Sequence, residues 1–277
     1  MQGDVTVNTE EIMRLSLKLA GLTRVPEDSA IYVKGDRVKR VLFGIDAGVP
    51  ELSMAKQLGY DAVIAHHPQG ESAIVDYYQV FKRHIQQMTT AGVPREAAEA
   101  AVKTKLKALE VQSHMRNYAH AVDVARLLKI PYMNIHTPLD EIGRRIMNEQ
   151  IHSRLEEHST LRDVVSALDE LPEFQHATTK IKIHIGNPET PAGSVVMSHG
   201  AGTNGGYEIA KAYFDHGIGT VVYIHISPTD LERLKVIRGG NLIVTGHVAS
   251  DSVGINPFLH KLEENGLIVT TMGVVGD

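Results

Sequence analysis

Two stretches of the chain repeat one order of elements: an apolar strand, a helix and a second apolar strand. A strand-helix-strand unit implies a parallel sheet with a right-handed crossover. The sequence therefore predicts an α/β fold of two related lobes with mainly parallel sheets. The predicted elements are residues 40–47, 50–59 and 61–65 in the first copy, and 194–199, 207–216 and 220–226 in the second.

The two predicted lobes are intertwined along the chain. Residues 1–140 and 241–277 form the first lobe, which carries the candidate metal ligands, and residues 141–240 form the second. Residues 75–128 predict a helical insertion, broken at Gly92-Val93-Pro94. Ligands of open parallel sheets usually bind at the carboxyl ends of the strands, so we expect the site there.

Composition excludes several classes of function. The net charge of −5 argues against a mainly electrostatic nucleic-acid binder, although a local basic patch is compatible with it. The chain has no cysteine, so any zinc would be held by histidine and carboxylate. The amino terminus, MQGDVTVNTEEIMRL, lacks the order of a signal peptide, and no apolar run approaches the roughly 18 residues of a membrane span. We expect a cytoplasmic protein without membrane contact.

Two adjacent histidines, His66 and His67, follow the apolar run 62–65 and precede Pro68. One interpretation is a strand that ends in solvent, where the proline ends the ladder. The other is a pair of metal ligands. Adjacent side chains on a regular strand point to opposite faces. Both rings can therefore reach one site only if the strand bends there, or if two ions lie side by side.

His136 and Asp140 repeat this pattern in the stretch NIHTPLD, residues 134–140. An apolar strand again ends in histidine and is followed by a proline turn. Thr137 fits a helix N-cap and Pro138 the first helical position. Asp140, three residues after that cap, can therefore be either a capping acid or a metal ligand.

His247 and Asp251 stand four residues apart in LIVTGHVASDSVGINPF, after a predicted strand at 242–245. If a helix begins near Gly246, the two side chains share a face of that helix. The spacing suits a metal site and an ordinary helix pair equally.

Of the residues at the three strand ends, the five proposed as ligands would place three imidazoles and two carboxylates along one edge of a parallel sheet. This is too many ligands for one tetrahedral zinc with an open position, and it suits two ions that share a bridging group. Nitrogen and oxygen ligands in this mixture fit two divalent ions of Zn, Mn, Fe, Co or Ni. The candidate ligands are His66, His67, Asp140, His247 and Asp251.

The motifs FGIDA, HHP, H-T-x-x-D and G-H-x-x-S-acid, in this order, resemble the NGG-interacting-factor-three-like family, whose members are often labelled GTP cyclohydrolase I type 2 homologues. The similarity runs over nearly the whole chain and includes VVMSHGAGTNGG. It implies a two-lobed α/β fold and a dinuclear metal centre that faces the cavity of a toroidal homohexamer. The motifs place the metal ligands at the same five residues, and His136 beside the metals as a supporting or proton-transfer group.

Two features depart from the family pattern. The last ligand of the family is typically glutamate, whereas Asp251 is one methylene shorter, which bears on whether it bridges both ions. The long helical stretch between His67 and His136 could reshape the mouth of the cavity and alter substrate choice.

The leading hypothesis is a metal-dependent hydrolase that acts on a nucleotide or another phosphorylated, anionic small molecule, with His136 as the catalytic proton carrier. The GTP cyclohydrolase label would mean opening of the guanine ring, but no residue here selects guanine. The alternative is a non-catalytic metal-binding ring that serves as a scaffold or a regulatory interaction partner.

Two further motifs bear on ligand binding. Residues 200–205 match G-x-G-x-x-G, but a dinucleotide site needs an acidic residue some 20 positions later, where His225 lies. The pattern favours a tight turn with exposed amides, near a phosphate. The basic stretch KTKLKAL, residues 103–109, has glutamates nearby and predicts a solvated helix face.

Overall fold

The structure, a computed structural model, describes residues 6–276. Residues 1–5 and 277, which the sequence analysis assigns to the first lobe, lie outside the described part. The helices are α1 Thr9–Ala20, α2 Val49–Leu58, α3 Glu71–Val75, α4 Arg83–Thr90, α5 Arg95–His114, α6 His120–Leu128, α7 Thr137–Arg154, α8 Leu161–Asp169, α9 Pro172–His176, α10 Gly206–Asp215, α11 Pro228–Lys235 and α12 His247–Glu264, with a 3-10 turn at Tyr77–Lys82. The strands are β1 Ala30–Val33, β2 Arg40–Gly44, β3 Ala62–Ala65, β4 Tyr132–Asn134, β5 Lys182–Ile185, β6 Val195–Met197, β7 Thr220–Tyr223, β8 Asn241–Val244 and β9 Ile268–Met272.

The chain forms two compact units. The first unit comprises Met1–Val80, Glu110–Ile142 and Ile255–Val274. The second unit comprises Phe81–Leu109, Gly143–Gly254 and Val275–Asp277. The lobe boundaries drawn from the sequence stay a prediction. Among residues 6–276, no helix is both long and apolar enough to cross a bilayer.

The first unit is built on a sheet with the strand order β1-β4-β3-β2-β9. Strands β2, β3, β4 and β9 run parallel, and β1 pairs antiparallel with β4. Every residue of β3 is buried, as expected for a strand that is covered on both faces. The register pairs Gly44 with Ala65 and Ala65 with Asn134, so the last residues of β2, β3 and β4 align at one edge.

The second unit is built on a sheet with the order β5-β8-β7-β6. Strands β6, β7 and β8 are parallel, and β5 joins antiparallel at the edge. The prediction of an α/β fold with mainly parallel sheets is confirmed. Both strand-helix-strand repeats occupy the predicted segments, although β2, β6 and β7 end two or three residues earlier than predicted.

Each unit has its own apolar core. In the first unit Leu52, Val63 and Tyr132 are among the buried residues that pack together. The second core includes Phe174 and Val222. The apolar face of a helix packs against the sheet of its unit. In a globular domain this tertiary packing is the main source of helix stability.

The N-cap of α1 is Asn8. The Asn8 side chain accepts a hydrogen bond from the Glu11 backbone at 2.8 Å, and the Glu11 carboxylate accepts one from the Asn8 backbone. Asn8 is extended, with φ −99° and ψ 165°, as a cap must be. Thr9 lies inside the helix, and its hydroxyl accepts from the Gly35 backbone.

Helix α2 offers a matched pair of leucines that separates core packing from helix propensity. Leu52 is fully buried, whereas Leu58 on the same helix is 56% exposed. We expect Leu52→Ala to lower the free energy of unfolding by about 2–5 kcal/mol, because it leaves a cavity in the first core. Leu58→Ala should change it by no more than about 0.5 kcal/mol. Urea unfolding followed by circular dichroism measures both, and equal effects would contradict the assignment of this core.

Candidate metal centre

The strand bends where the two adjacent histidines begin, which removes the geometric objection to a shared site. Strand β3 ends at Ala65, and the next two backbone amides continue into the end of β2 and its turn. The His66 N–H donates to the Gly44 carbonyl at 2.9 Å, and the His67 N–H donates to the Ile45 carbonyl at 3.0 Å. The two rings then lie 5.1 Å apart between centroids, so both belong to one cluster.

His136 joins this cluster from the end of β4. Its ring centroid lies 4.9 Å from that of His66 and 5.6 Å from that of His67. One ring nitrogen from each of the three residues lies within 4.8 Å of the others, close enough for these imidazoles to surround a metal ion. His66 and His136 are buried, and His67 is partly exposed.

The tautomers of these three histidines follow from their partners. Nδ1 of His66 lies 3.0 Å from the Ile135 carbonyl, Nδ1 of His67 lies 2.7 Å from Asp46 Oδ1, and Nδ1 of His136 lies 2.8 Å from Asp28 Oδ2. Each partner is an acceptor, so each Nδ1 carries the proton and donates it. In the neutral form of each ring, Nε2 then carries the lone pair. Metal-binding histidines typically have this arrangement, with the second ring nitrogen donating to a carboxylate or a carbonyl.

Asp140 supplies a carboxylate to the same cluster. Its Oδ1 lies 3.2 Å from His66 Nε2 and its Oδ2 lies 3.7 Å from His136 Nε2, and the side chain is buried. A carboxylate oxygen and a ring nitrogen without a proton repel each other unless a proton or a cation lies between them. The placement favours the ligand interpretation of Asp140 over helix capping, since its carboxylate faces the histidines.

Asp28, which the sequence analysis did not single out, orders this side of the cluster. It is fully buried and lies 108 residues from His136 in the chain. Its carboxylate also accepts from the Thr137 hydroxyl at 2.6 Å and from the Ser29 hydroxyl at 3.3 Å. The stretch PEDSA carries no motif, so no sequence signal marked this residue.

In the second unit, His247 and Asp251 come together as the spacing predicted. Helix α12 begins at His247, and the His247 Nε2 atom lies 3.3 Å from Asp251 Oδ2. Gly246 precedes the helix at φ +108°, a conformation that favours glycine and allows the chain to turn sharply out of β8. Asp251 is buried, whereas 43% of the His247 side chain is exposed.

His225 stands next to this pair at the end of β7. Its ring centroid lies 4.5 Å from that of His247, and its Nδ1 lies 2.8 Å from the Asn204 amide nitrogen. Burial, followed by the nearby His247, lowers the pKa of His225 to about 4. The ring is therefore neutral at neutral pH.

In the second unit, side chains of the helical insertion hold the loop after β6 by hydrogen bonds. Arg83 Nε donates to the Gly200 carbonyl at 2.8 Å, His84 Nε2 to the Thr203 carbonyl at 3.1 Å and Lys105 Nζ to the Asn204 carbonyl at 2.6 Å. The G-x-G-x-x-G loop is thus held through its carbonyl oxygens. The prediction that residues 103–109 are only a solvated face is wrong for Lys105, which is half-buried because it binds this loop.

The structure thus gathers the predicted site residues within each unit. The first unit brings together His66, His67, His136 and Asp140, and the second brings together His247 and Asp251. The first of these clusters consists of buried or partly buried histidine and aspartate side chains that could hold a metal ion.

Comparison with solved structures shows the family. The chain is 47% identical to a NIF3 superfamily protein from Sphaerobacter thermophilus, with a TM-score of 0.95, over 97% of this chain and 99% of that one. The chain belongs to the NIF3 superfamily. The resemblance read from the four motifs is confirmed.

More distant structures share the fold. Reduced HcgD from Methanocaldococcus jannaschii is 13% identical with a TM-score of 0.60, over 96% of this chain and 98% of that one. A Bacillus cereus protein related to NIF3 is 12% identical with a TM-score of 0.53, over 98% of each chain. No family profile matches the chain, and no curated protein matches it either.

Asp28→Asn tests whether the buried carboxylate holds His136 and Thr137 in place. Both carboxylate oxygens accept hydrogen bonds, so either orientation of an amide turns its NH₂ group towards a donor. We expect the free energy of unfolding to fall by about 1–3 kcal/mol, the usual cost of a buried polar group left without its partner. Urea unfolding of the metal-free protein, followed by circular dichroism, measures the effect. The exposed Asp36→Asn is the control for lost charge, and equal free energies of unfolding for both variants and the native chain would contradict the role.

His84 predicts how the stability of the second unit depends on pH. Burial lowers its pKa to about 3, from an ordinary value of 6.5. The unfolded chain therefore binds the proton more tightly, so stability is complete above about pH 6.5 and declines as the pH falls towards 3. His84→Gln keeps a donor for Thr203 but does not titrate, and it should flatten this decline. Urea midpoints at several pH values measure the slope; exposed His216→Gln should leave it unchanged.

Proposed function

We propose that this protein is a dinuclear-metal-dependent hydrolase that acts on a nucleotide or another phosphorylated small molecule. The proposed metal ligands are His66, His67, Asp140, His247 and Asp251. The observation that carries the proposal is the set of imidazoles in the first unit whose Nδ1 atoms are fixed by acceptors, so that their Nε2 atoms are prepared as ligands around a buried carboxylate.

The donor set fits divalent metal ions. Neutral imidazole nitrogens and carboxylate oxygens are the ligands of Zn, Mn, Fe, Co and Ni in proteins, and the chain has no cysteine that would favour thiophilic metals. When bound, a pair of such ions supplies positive charge for substrate oxygens and lowers the pKa of a water molecule towards neutrality.

His136 is the proposed proton carrier. Its Nδ1–H is donated to Asp28, which fixes the ring orientation and leaves Nε2 able to accept a proton. The buried Asp28 carboxylate then stabilises the positive ring that results, as a carboxylate does for a general-base histidine in acyl-transfer enzymes. His136 Nε2 lies 3.7 Å from Asp140 Oδ2, so the proton would be taken up beside a proposed ligand.

The anionic character of the substrate follows from the proposed ions, which attract phosphate oxygens. A homohexamer and a cytoplasmic location stay predictions from the resemblance and the composition. The substrate proposal is wider than the GTP cyclohydrolase label. The residues given a role here would bind metal ions or carry a proton, and none of these roles selects a purine base.

Two substitutions separate ligand from proton carrier. His67→Ala should reduce the metal content and abolish metal-stimulated phosphoester or nucleotide hydrolysis, because a ligand is lost. His136→Gln should keep the metal content but lower kcat by about 10²–10⁴-fold, the usual contribution of a general acid or base. Metal analysis and a broad phosphoester and nucleotide screen on the metal-loaded protein measure both.

The exposed His216→Ala is the matched control and should change neither readout. If His136→Gln loses as much metal as His67→Ala, His136 is a ligand and its catalytic assignment is wrong. If the metal-loaded native protein hydrolyses nothing in the screen, the scaffold function gains and the hydrolase proposal fails.

A further inference from the structure

His225 stands at the end of a parallel strand like the candidate ligands, but its hydrogen bond is of the opposite kind. It follows β7 in the second unit and lies beside His247, with ring centroids 4.5 Å apart and ring planes tilted by 58°. Among residues 6–276, the one hydrogen bond of its ring is the contact with Asn204. The identity of the atom that Asn204 presents therefore decides which ring nitrogen of His225 carries the proton.

The orientation of the Asn204 amide is fixed by two donors. Its Oδ1 accepts from the Gly206 backbone N–H at 3.0 Å and lies 3.5 Å from Lys105 Nζ. Reversing the amide would place its NH₂ group against both donors. The NH₂ group therefore faces His225 Nδ1, at 2.8 Å. Lys105 further anchors this residue by donating to its carbonyl at 2.6 Å.

A ring whose Nδ1 accepts from an amide carries its proton on Nε2. This is the reverse of His66, His67 and His136, whose Nδ1 atoms donate to acceptors and whose Nε2 atoms carry lone pairs. A nitrogen that holds a proton cannot bind a metal. The strand-end histidines thus fall into two chemical classes, set by the neighbour of Nδ1.

We infer that His225 is a specificity-determining residue, a hydrogen-bond donor whose Nε2–H binds an oxygen of an anionic substrate beside His247, and that it is not a metal ligand. The substrate class, a phosphorylated small molecule, rests on the proposed function. The tautomer of His225 does not, because it follows from Asn204 alone. Lys105 of helix α5 holds Asn204, and Asn204 in turn holds the His225 ring. Through these contacts the insertion fixes the Nε2–H of His225 as a donor beside His247.

The tautomer is tested without metal or substrate. Nitrogen-15 NMR of the metal-free, histidine-labelled protein at neutral pH should show His225, assigned by its loss in His225→Gln, with the proton on Nε2. Asn204→Asp replaces the NH₂ group by an acceptor while still accepting from Gly206, so it should place a proton on Nδ1. Asn187→Asp adds the same charge in an exposed loop and should change nothing. A native ring protonated on Nδ1 would overturn the inference.

Inorganic phosphate is the probe for the binding function, with zinc-loaded protein and calorimetry as the readout. His225→Leu should weaken the phosphate Kd by about tenfold, the value of one hydrogen bond to a charged group. His225→Gln should stay within about twofold of the native chain, because the glutamine amide keeps a donor near the position of Nε2. Both should keep the native zinc stoichiometry, and exposed His216→Leu should affect neither quantity.

The remaining outcomes separate this inference from the proposed function. Loss of zinc in His225→Leu, or phosphate affinities that do not differ between the leucine variant and the native chain, would overturn the inference. A native protein that binds zinc but not phosphate would overturn the anion assignment of His225. A native protein that binds no zinc would overturn the proposed function and the substrate part of the inference together, while the NMR result still decides the tautomer.

Discussion

The arrangement of the candidate centre depends on hydrogen bonds at Nδ1 of the strand-end histidines. An imidazole binds a metal through one nitrogen only if the other nitrogen holds the proton, so a neighbouring acceptor prepares the ligand before any ion arrives. In the first unit these acceptors are the Ile135 carbonyl, Asp46 and Asp28. The parallel sheet makes this possible, because aligned strand ends place groups that are distant in the chain at one edge.

In the second unit a hydrogen bond at Nδ1 has the opposite effect on the ring. His225, which follows β7, receives a hydrogen bond at Nδ1 and so presents a donor beside His247. This hydrogen bond comes from Asn204, whose side-chain oxygen accepts from the Gly206 backbone and lies 3.5 Å from Lys105 Nζ. The helical insertion supplies Lys105, which holds the loop of Asn204 by donating to its backbone carbonyl.

Local sequence patterns were sufficient to predict much of the fold and part of the candidate site. The strand-helix-strand repeats predicted the parallel sheets, and the i, i+4 spacing predicted the contact of His247 with Asp251. For Asp140 the sequence left two interpretations, because a capping acid and a ligand can stand at the same spacing after His136. The fold places the carboxylate 3.2 Å from His66 Nε2, which favours the ligand interpretation.

What the sequence could not supply depends on contacts between distant segments. Asp28 meets His136 across 108 residues and has no motif of its own. In the sequence, Lys105 cannot be distinguished from the other lysines of its basic helix. It is half-buried because the loop after β6 lies against it. The histidine tautomers could not be predicted from the sequence either, because they depend on which atom of a distant residue faces each ring.

The most direct test of the account is the position of zinc in crystals of the zinc-loaded protein, located by anomalous scattering. The account predicts an ion about 2.0–2.1 Å from Nε2 of His66 or His67, with the Nδ1 contacts to Ile135 and Asp46 retained. An ion bound through Nδ1 of these histidines, or bound only elsewhere on the chain, would contradict it.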